Sequence, residues 1–342
     1  MENLIINSRN IVLGTQKPCF IIAEGCDNHL GNIELAKRMI ISAKESGADA
    51  IKFQHHLPDE EMLKDIPMSD NFEEPLYDFL KKYALSLEEH RTLKNFCDKE
   101  GIIYMCTPFS LKAALEIQDL VPFFKIGSGE MTDIPSLLEI AKLGLPMILS
   151  TGMSDFEEID RTYNILKNKT QLALMNCVSE YPPVYEDINL NVIKKMIERY
   201  PMALIGHSDH TPDIYTCFGA VTLGAKLIEK HVILDKNQPG PDQSVSIDFQ
   251  DLKQLVDGIR KIEVSLGDCK KVHKKEKQIR DWAFRSIVSV KDIKKGKIIS
   301  ADDIWSKRPG TGIPSHLMEK VIGKKTLVDI PKNKLISWDN LN

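Results

Sequence analysis

Two lysines inside otherwise apolar runs are the first chemical signal in this sequence. Lys52 stands in DAIKFQ (49–54) and Lys125 in FFKIG (123–127), and an ammonium buried without a partner is strongly unfavourable. Each asks for an anion, either a neighbouring carboxylate such as Glu24 or Glu130 or a bound phosphate or carboxylate. Hydroxyls recur at equivalent places, at Thr107, Ser128, Ser150 and Ser208, and two ammonium groups with several hydroxyl donors make a suitable anion cradle. His210 and His231 close consecutive apolar runs, so their imidazoles can converge to hold one divalent metal, or act as general bases. Gln54, Ser179, Asp209 and Asp242 bring further polar groups to the same ends. His55 and His56 open a long loop and read as solvent or substrate contacts, while Cys26, Cys106 and Cys177 read as small buried thiols.

Such a constellation needs a scaffold that gathers strand ends. Eight short β-rich runs alternate with helical segments: CFIIAE (19–24), DAIKFQ (49–54), IIYMCT (102–107), FFKIG (123–127), PMILST (146–151), LALMNC (172–177), MALIGH (202–207) and KLIEKH (226–231). Their nearly continuous apolar character suits parallel strands covered on both faces. The pattern predicts an α/β fold of the (βα)8 barrel type, whose active site forms at the carboxyl ends of the strands. An open doubly wound sheet is the alternative, but no GxGxxG follows the first run. Ser86 with Glu89 and Ser154 with Glu157 read as capping boxes, and Asp133 before Pro135 as a helix start. Gly47, Gly101 and Gly144 read as helix stops. The acidic segment from His55 to Leu85 reads as a loop with one short helix over the barrel mouth, its charges solvated.

The chain has 342 residues, more than the roughly 250 of a typical barrel. Residues 1–270 account for the barrel and 271–283, including the basic HKKEKQIRDWA, for a linker; 284–342 then form a small β-rich domain with Lys-Gly and Lys-Asn turns. The net charge of −4 argues against a polyanion partner, so no nucleic acid is expected. No apolar run approaches the roughly 18 residues of a membrane span, and MENLIINSRN lacks the order of a secretory signal. Seven cysteines without a CxxC pair fit reduced thiols, and the protein reads as cytoplasmic.

The same residues resemble the sialic acid (nonulosonate) synthase family. The motifs are FIIAEGCDNHLG (20–31), ADAIKFQ (48–54), CTPFS (106–110), FKIGSGE (124–130), ILSTGM (148–153), IGHSDHT (205–211), LIEKHVILDKNQPGPD (227–242), KDIKKG (291–296) and KRPGTGI (307–313). The resemblance implies a barrel followed by an antifreeze-like SAF domain of the β-clip type that crosses to the partner subunit of a domain-swapped homodimer. It implies that His210 and His231 bind Mn2+ or Mg2+, and that Lys52, Thr107, Lys125, Ser128, Ser150, Ser179 and Ser208 hold phosphoenolpyruvate. Glu24, Gln54, Glu130, Tyr181 and Asp242 would then face the N-acyl amino sugar or the reacting carbons, with Arg308 reaching the sugar from the other subunit. Three places depart from the family pattern: Gly25-Cys26-Asp27 in the first motif, Ser179, and Thr311 in RPGTG.

The implied reaction condenses phosphoenolpyruvate with N-acetylmannosamine to N-acetylneuraminate and phosphate. The alternative acceptor is a 2,4-diacetamido-2,4,6-trideoxyhexose, giving a legionaminate or pseudaminate. A metal-dependent aldolase or a sugar-phosphate isomerase could use the same groups. Taken alone, the last domain could be an ice- or carbohydrate-binding module, but its charged turns argue against a flat ice-matching surface.

Overall fold

The computed structural model describes residues 4–67, 74–238, 240 and 242–342, and the chain divides into two units, Met1–Leu266 and Gly267–Asn342. Part of the acidic loop segment and the two prolines of PGPD lie outside the described residues.

The first unit opens with an antiparallel hairpin, β1 (Ile5–Ser8) and β2 (Ile11–Gly14). Eight strands follow: β3 (Phe20–Glu24), β4 (Ala50–His55), β5 (Ile103–Pro108), β6 (Phe124–Ile126), β7 (Met147–Ser150), β8 (Leu172–Cys177), β9 (Ala203–Asp209) and β10 (Leu227–His231). They pair in parallel in the order β5-β4-β3-β10-β9-β8-β7-β6. Because β10 lies beside β3, with His231 opposite Glu24, the sheet curls back on its own first strand. Among the described residues the ladder is open only between β5 and β6. This is the expected barrel, each strand close to its apolar run. β3, β7, β8, β9 and β10 are buried along their whole length, as strands covered on both faces must be.

The helices are α1 (Ile33–Ser46), α2 (Pro58–Glu61), α3 (Leu76–Tyr83), α4 (Leu87–Glu100), α5 (Leu111–Ile117), α6 (Ile134–Ala141), α7 (Phe156–Leu166), α8 (Val192–Arg199), α9 (Tyr215–Thr222) and α10 (Phe249–Ser265). Ser86 and Glu89 form the expected capping box, and the Asp133 side chain caps α6. Gly47 and Gly101 end α1 and α4 in the left-handed conformation. α7 starts one residue later than expected, because Asp155 rather than Ser154 accepts from the amides of Glu157 and Glu158, and Glu158 completes the box. The acidic segment carries two helices, α2 and α3, where one was expected.

The barrel interior is layered. At the amino-terminal end Phe20, Ile22, Met105, Phe123, Ile148 and Leu227 pack with Ile6 and Leu13 of the hairpin, which closes that end with an apolar plug. The hairpin had no counterpart in the sequence reading. Its turn residues Arg9 and Asn10 both have positive φ, the geometry a two-residue hairpin turn needs. Toward the carboxyl ends the inward residues become Lys52, Lys125, Glu229, Glu24 and His231, all buried.

In the second unit β11 (Ser286–Ser289) and β12 (Ile304–Lys307) pair antiparallel around a core of Ile287, Ile293, Ile299, Ile304, Ile330 and Ile336. Gly296 and Asn333, at the Lys-Gly and Lys-Asn turns, both take positive φ. The segment read as a linker is not bare connection: its residues Lys274–Ala283 form a helix, α11. No helix among the described residues is long and apolar enough to cross a membrane.

Candidate active site

The carboxyl ends of the barrel strands surround a cavity of about 750 Å3. The residues expected to bind phosphoenolpyruvate, the sugar or a metal all line it except Arg308, while Asp209 lies outside it, paired with Lys230. Arg308 belongs to the second unit, where its Nε donates to the Ala283 carbonyl at 3.1 Å and its guanidinium lies 5.3 Å from the Trp282 ring centre.

The floor is a charged layer. Strand register sets Lys52 directly beside Glu24, and Lys52 Nζ lies 2.7 Å from Glu24 Oε2 while donating to Thr107 Oγ1 at 2.8 Å. Lys125 Nζ donates to Ser150 Oγ at 2.7 Å. Between the two lysines stands Glu229, whose Oε1 is 3.7 Å from Lys52 Nζ and 3.6 Å from Lys125 Nζ and accepts from Ser208 Oγ at 3.3 Å. Both lysines therefore have carboxylate company, as the simpler sequence reading allowed, yet Glu229 Oε2 has no hydrogen-bond partner. Burial would raise the Glu229 carboxyl, but Lys125 and Lys52 outweigh it and hold it below its ordinary range. Burial lowers Lys125 below the usual lysine value, against the pull of Glu229. A deeply placed cation with imperfect compensation suits a bound anion. Ser128 and Ser179 converge over Gly152, where a Cβ would stand 2.7 and 2.2 Å from their hydroxyl oxygens, so only glycine permits the approach.

The histidines occupy one side. Their ring centres are 5.0 Å apart, and Tyr181 stacks on His210 at 4.3 Å. His210 Nδ1–H donates to the Val178 carbonyl at 2.7 Å, which leaves Nε2 facing the Tyr181 hydroxyl at 3.2 Å. Burial and the neighbouring cationic groups push His231 well below its ordinary value, so the ring is neutral, and its Nδ1 is buried without a partner. Donor atoms of Cys26, His231 and Asp242 lie within 4.8 Å of one another. Hard divalent cations prefer carboxylate and imidazole donors to a thiol, so His231, Asp242 and the adjacent His210 are the donors that suit a divalent metal of that kind. An orphaned imidazole nitrogen beside a carboxylate fits such a group.

Two further carboxyls are poised for proton transfer. Burial pushes Glu24 up to about 7, against the pull of Lys52, and its Oε1 accepts from Gln54 Nε2 at 3.0 Å. Burial likewise pushes Glu130 up to about 7. Carboxyls titrating near neutrality can serve as acid or base in one cycle.

Sequence reasoning missed part of the lining. Glu229 lies two residues before His231 on the same strand, and the two-residue period could have found it. His56 is buried, not solvated: it stacks on Phe109 at 4.2 Å and bonds Glu61 Oε1 at 3.0 Å and Gln54 Oε1 at 2.9 Å. Glu61 lines the cavity with it, opposite Asp27 of the loop after β3, so this part of the acidic segment is a wall rather than a solvated surface. His55 is also buried, against Glu116 at 2.9 Å and the His90 ring.

A family model described as NeuB family matches residues 39–271, and a SAF domain model matches residues 284–342. The chain is 36% identical to an N,N'-diacetyllegionaminic acid synthase from Legionella pneumophila, over 96% of each chain. It is 33% identical to the N-acetylneuraminate-9-phosphate synthase of Homo sapiens, over 95% of this chain and 93% of that protein. The crystal structure of N-acetylneuraminic acid (sialic acid) synthetase from Leptospira borgpetersenii in complex with citrate superposes with a TM-score of 0.72 at 32% identity, covering 81% of this chain and 95% of the other.

Proposed function

Because the chain belongs to the NeuB family, several of whose matched members are named synthases, we propose that it condenses phosphoenolpyruvate with an N-acyl amino sugar to give a nine-carbon 2-keto acid and phosphate. The observation that carries this reading is the pair of buried lysines, Lys52 and Lys125, with their hydroxyls at the floor of a large cavity also lined by His231, whose Nδ1 has no partner. A dianionic phosphate over Lys125, Ser150 and the Ser128–Ser179 pair would place the enol carbons toward the histidines.

His210 and His231, with Asp242 beside them, would hold the divalent metal, Mn2+ or Mg2+; when bound, it supplies a Lewis acid for the aldehyde oxygen of the open-chain sugar. C3 of phosphoenolpyruvate forms a bond to the sugar aldehyde carbon, and C2 becomes electron-poor. The ionised carboxylate of Glu130 or Glu24 stabilises that centre or takes a proton from the water that adds to it. The C2–O bond to phosphate then breaks, and the lysines receive the departing anion. Ser179, Gln54 and Tyr181 orient the two substrates, and Arg308 is proposed to reach the sugar of a partner subunit within a homodimer.

N-acetylmannosamine is the first acceptor in this reading, with N-acetylneuraminate as product. A second reading places a 2,4-diacetamido-2,4,6-trideoxyhexose in the same position, favoured by the likeness to a diacetyllegionaminic acid synthase. Phosphate release measured with phosphoenolpyruvate, Mn2+ and each sugar in turn tests both. Turnover with one sugar identifies it; no release with any would remove the proposal.

A further inference from the structure

His56 stands just after β4, and both of its ring nitrogens are engaged. The ring is buried and stacks on Phe109 at 4.2 Å. Its Nδ1 faces the two side-chain oxygens of Glu61, at 3.0 and 3.2 Å, and a carboxylate only accepts, so Nδ1 carries a hydrogen. Nε2 lies 2.9 Å from Gln54 Oε1. The direction of this second bond is set one side chain further on. Gln54 Nε2 donates to Glu24 Oε1 at 3.0 Å, because the reverse orientation would press the amide oxygen against a carboxylate. The amide oxygen therefore accepts from His56, and Nε2 carries a hydrogen as well. A ring that donates at both nitrogens is an imidazolium.

The surroundings hold that charge. Burial would lower His56, but Glu61, Asp27 and Glu130 outweigh it and raise the ring above its ordinary value. Asp27 Oδ2 lies 3.7 Å from Nε2. The neighbouring imidazoles His29 and His55 are lowered by burial and bring no competing charge. From these bond directions we propose that His56 is a positioning residue for Glu24: donating at both nitrogens, it locks the Gln54 amide with its N–H on the Glu24 carboxylate. Lys52 Nζ stands 2.7 Å from the other Glu24 oxygen, so one oxygen is held by the lysine floor and the other, through Gln54, by the wall. A neutral His56 has a single N–H for two acceptors. With Glu61 keeping it, the amide is free to turn, and ionised Glu24 loses a donor that favours its charge. The inference rests on the condensation proposed above, in which Glu24 acts at the reacting centre.

The proton count is read by NMR on the full-length protein carrying histidine labelled with nitrogen-15. At about pH 7 both His56 nitrogens should be protonated, the signal being assigned by its loss in His56→Phe, which keeps a ring on Phe109. A His56 signal with one bare nitrogen would overturn the proposal. Positioning is read from phosphate release against pH, with phosphoenolpyruvate, Mn2+ and N-acetylmannosamine or a 2,4-diacetamido-2,4,6-trideoxyhexose. Loss of the Gln54 donor raises the Glu24 carboxyl, so in His56→Phe the acid limb of kcat/KM should move up by about half a pH unit or more. At pH 7 kcat/KM should be about tenfold lower, with the deficit shrinking as pH rises. A merely structural role would lower the rate equally at every pH, and an unmoved limb in the folded variant would contradict the proposal. Glu61→Gln, which leaves the ring but removes its counter-charge, should move the limb the same way and decides the matter if His56→Phe does not fold. In Gln54→Leu the amide is already gone, so adding His56→Phe should change kcat/KM by less than about twofold; fully additive losses would show that His56 does not act through Gln54. No release by the unaltered protein with either sugar would overturn the condensation and this role together, whereas release with an unmoved limb would overturn this role alone.

Discussion

Replacing Lys125 by methionine removes one charge from the floor while keeping an apolar side chain of similar length in a buried place. Its Nζ lies 2.7 Å from Ser150 Oγ and 3.6 Å from Glu229 Oε1. A unit charge about 4 Å from an anion contributes about 4 kcal/mol at an effective dielectric constant of about 20. Glu229 already engages part of that in the free protein, leaving about 3 kcal/mol for the substrate, or about 100-fold in an equilibrium constant. In the variant Glu229 confronts the incoming phosphate with Lys52 as its only counter-charge, which adds to the loss. The expected fall in kcat/KM for phosphoenolpyruvate is therefore about 100- to 1,000-fold, with KM for the sugar changed by less than about threefold. Phosphate release at varied phosphoenolpyruvate and calorimetric binding of phosphoenolpyruvate read the two quantities, with circular dichroism checking the fold. A loss of less than about fivefold in a folded variant would refute the assignment of Lys125 to the anion.

The remaining predictions follow from burial and pairing. Glu130 is pushed to about 7 and must be ionised to take a proton, so kcat/KM should rise with pH through that value. Glu130→Gln should weaken this acid limb, leaving the part that Glu24 contributes near the same pH, and lower kcat by about 100-fold or more; an unaltered limb and kcat would count against the role. The Gly31 N–H donates to His29 Nδ1 at 3.0 Å, and burial lowers His29 from 6.5 to about 4. The unfolded chain thus binds this proton first, so the contribution of His29 is complete above its unfolded value and falls by about 3 kcal/mol as the pH drops to 4. Denaturant titrations across that window should show the decline, and a flat profile would contradict it. Lys230 Nζ donates to Asp209 Oδ2 at 2.6 Å, both side chains fully buried. Asp209 also accepts from Thr216 Oγ1 at 2.9 Å and has His207 Nε2 at 3.4 Å. Lys230→Met leaves that carboxylate without its counter-charge and should cost about 3–5 kcal/mol of stability, whereas a change below about 1 kcal/mol would show that Thr216 and His207 suffice.

The barrel was legible because parallel strands covered on both faces must be apolar along their length, which makes each polar strand-end residue conspicuous. Lys52, Lys125, His210 and His231 stood out for that reason, and the structure brings them into one cavity. Glu229 did not, because in KLIEKH it precedes a lysine that could pass for its partner. The pleat instead turns Glu229 to the barrel interior and Lys230 to Asp209 and the Thr211 carbonyl. The amino-terminal hairpin escaped notice because Arg9-Asn10 makes a turn usually announced by Asn-Gly, and its strands have four residues each. His56 and Glu61 looked like loop polarity. Only the fold shows that the stacking of His56 on Phe109 draws the start of that loop inward. Ser154 and Asp155 were equally good caps by type, and backbone geometry chose between them.

The central claim is that the lysine floor receives phosphate from phosphoenolpyruvate as carbon–carbon bond formation is completed at the histidine side. Phosphoenolpyruvate isotopically labelled at its bridging oxygen tests it most directly, with products separated and analysed by mass spectrometry. Cleavage of the C2–O bond predicts the label in the released phosphate and an unlabelled 2-keto oxygen in the sugar acid. Label retained in the sugar acid, with unlabelled phosphate, would place the break at phosphorus and contradict the account.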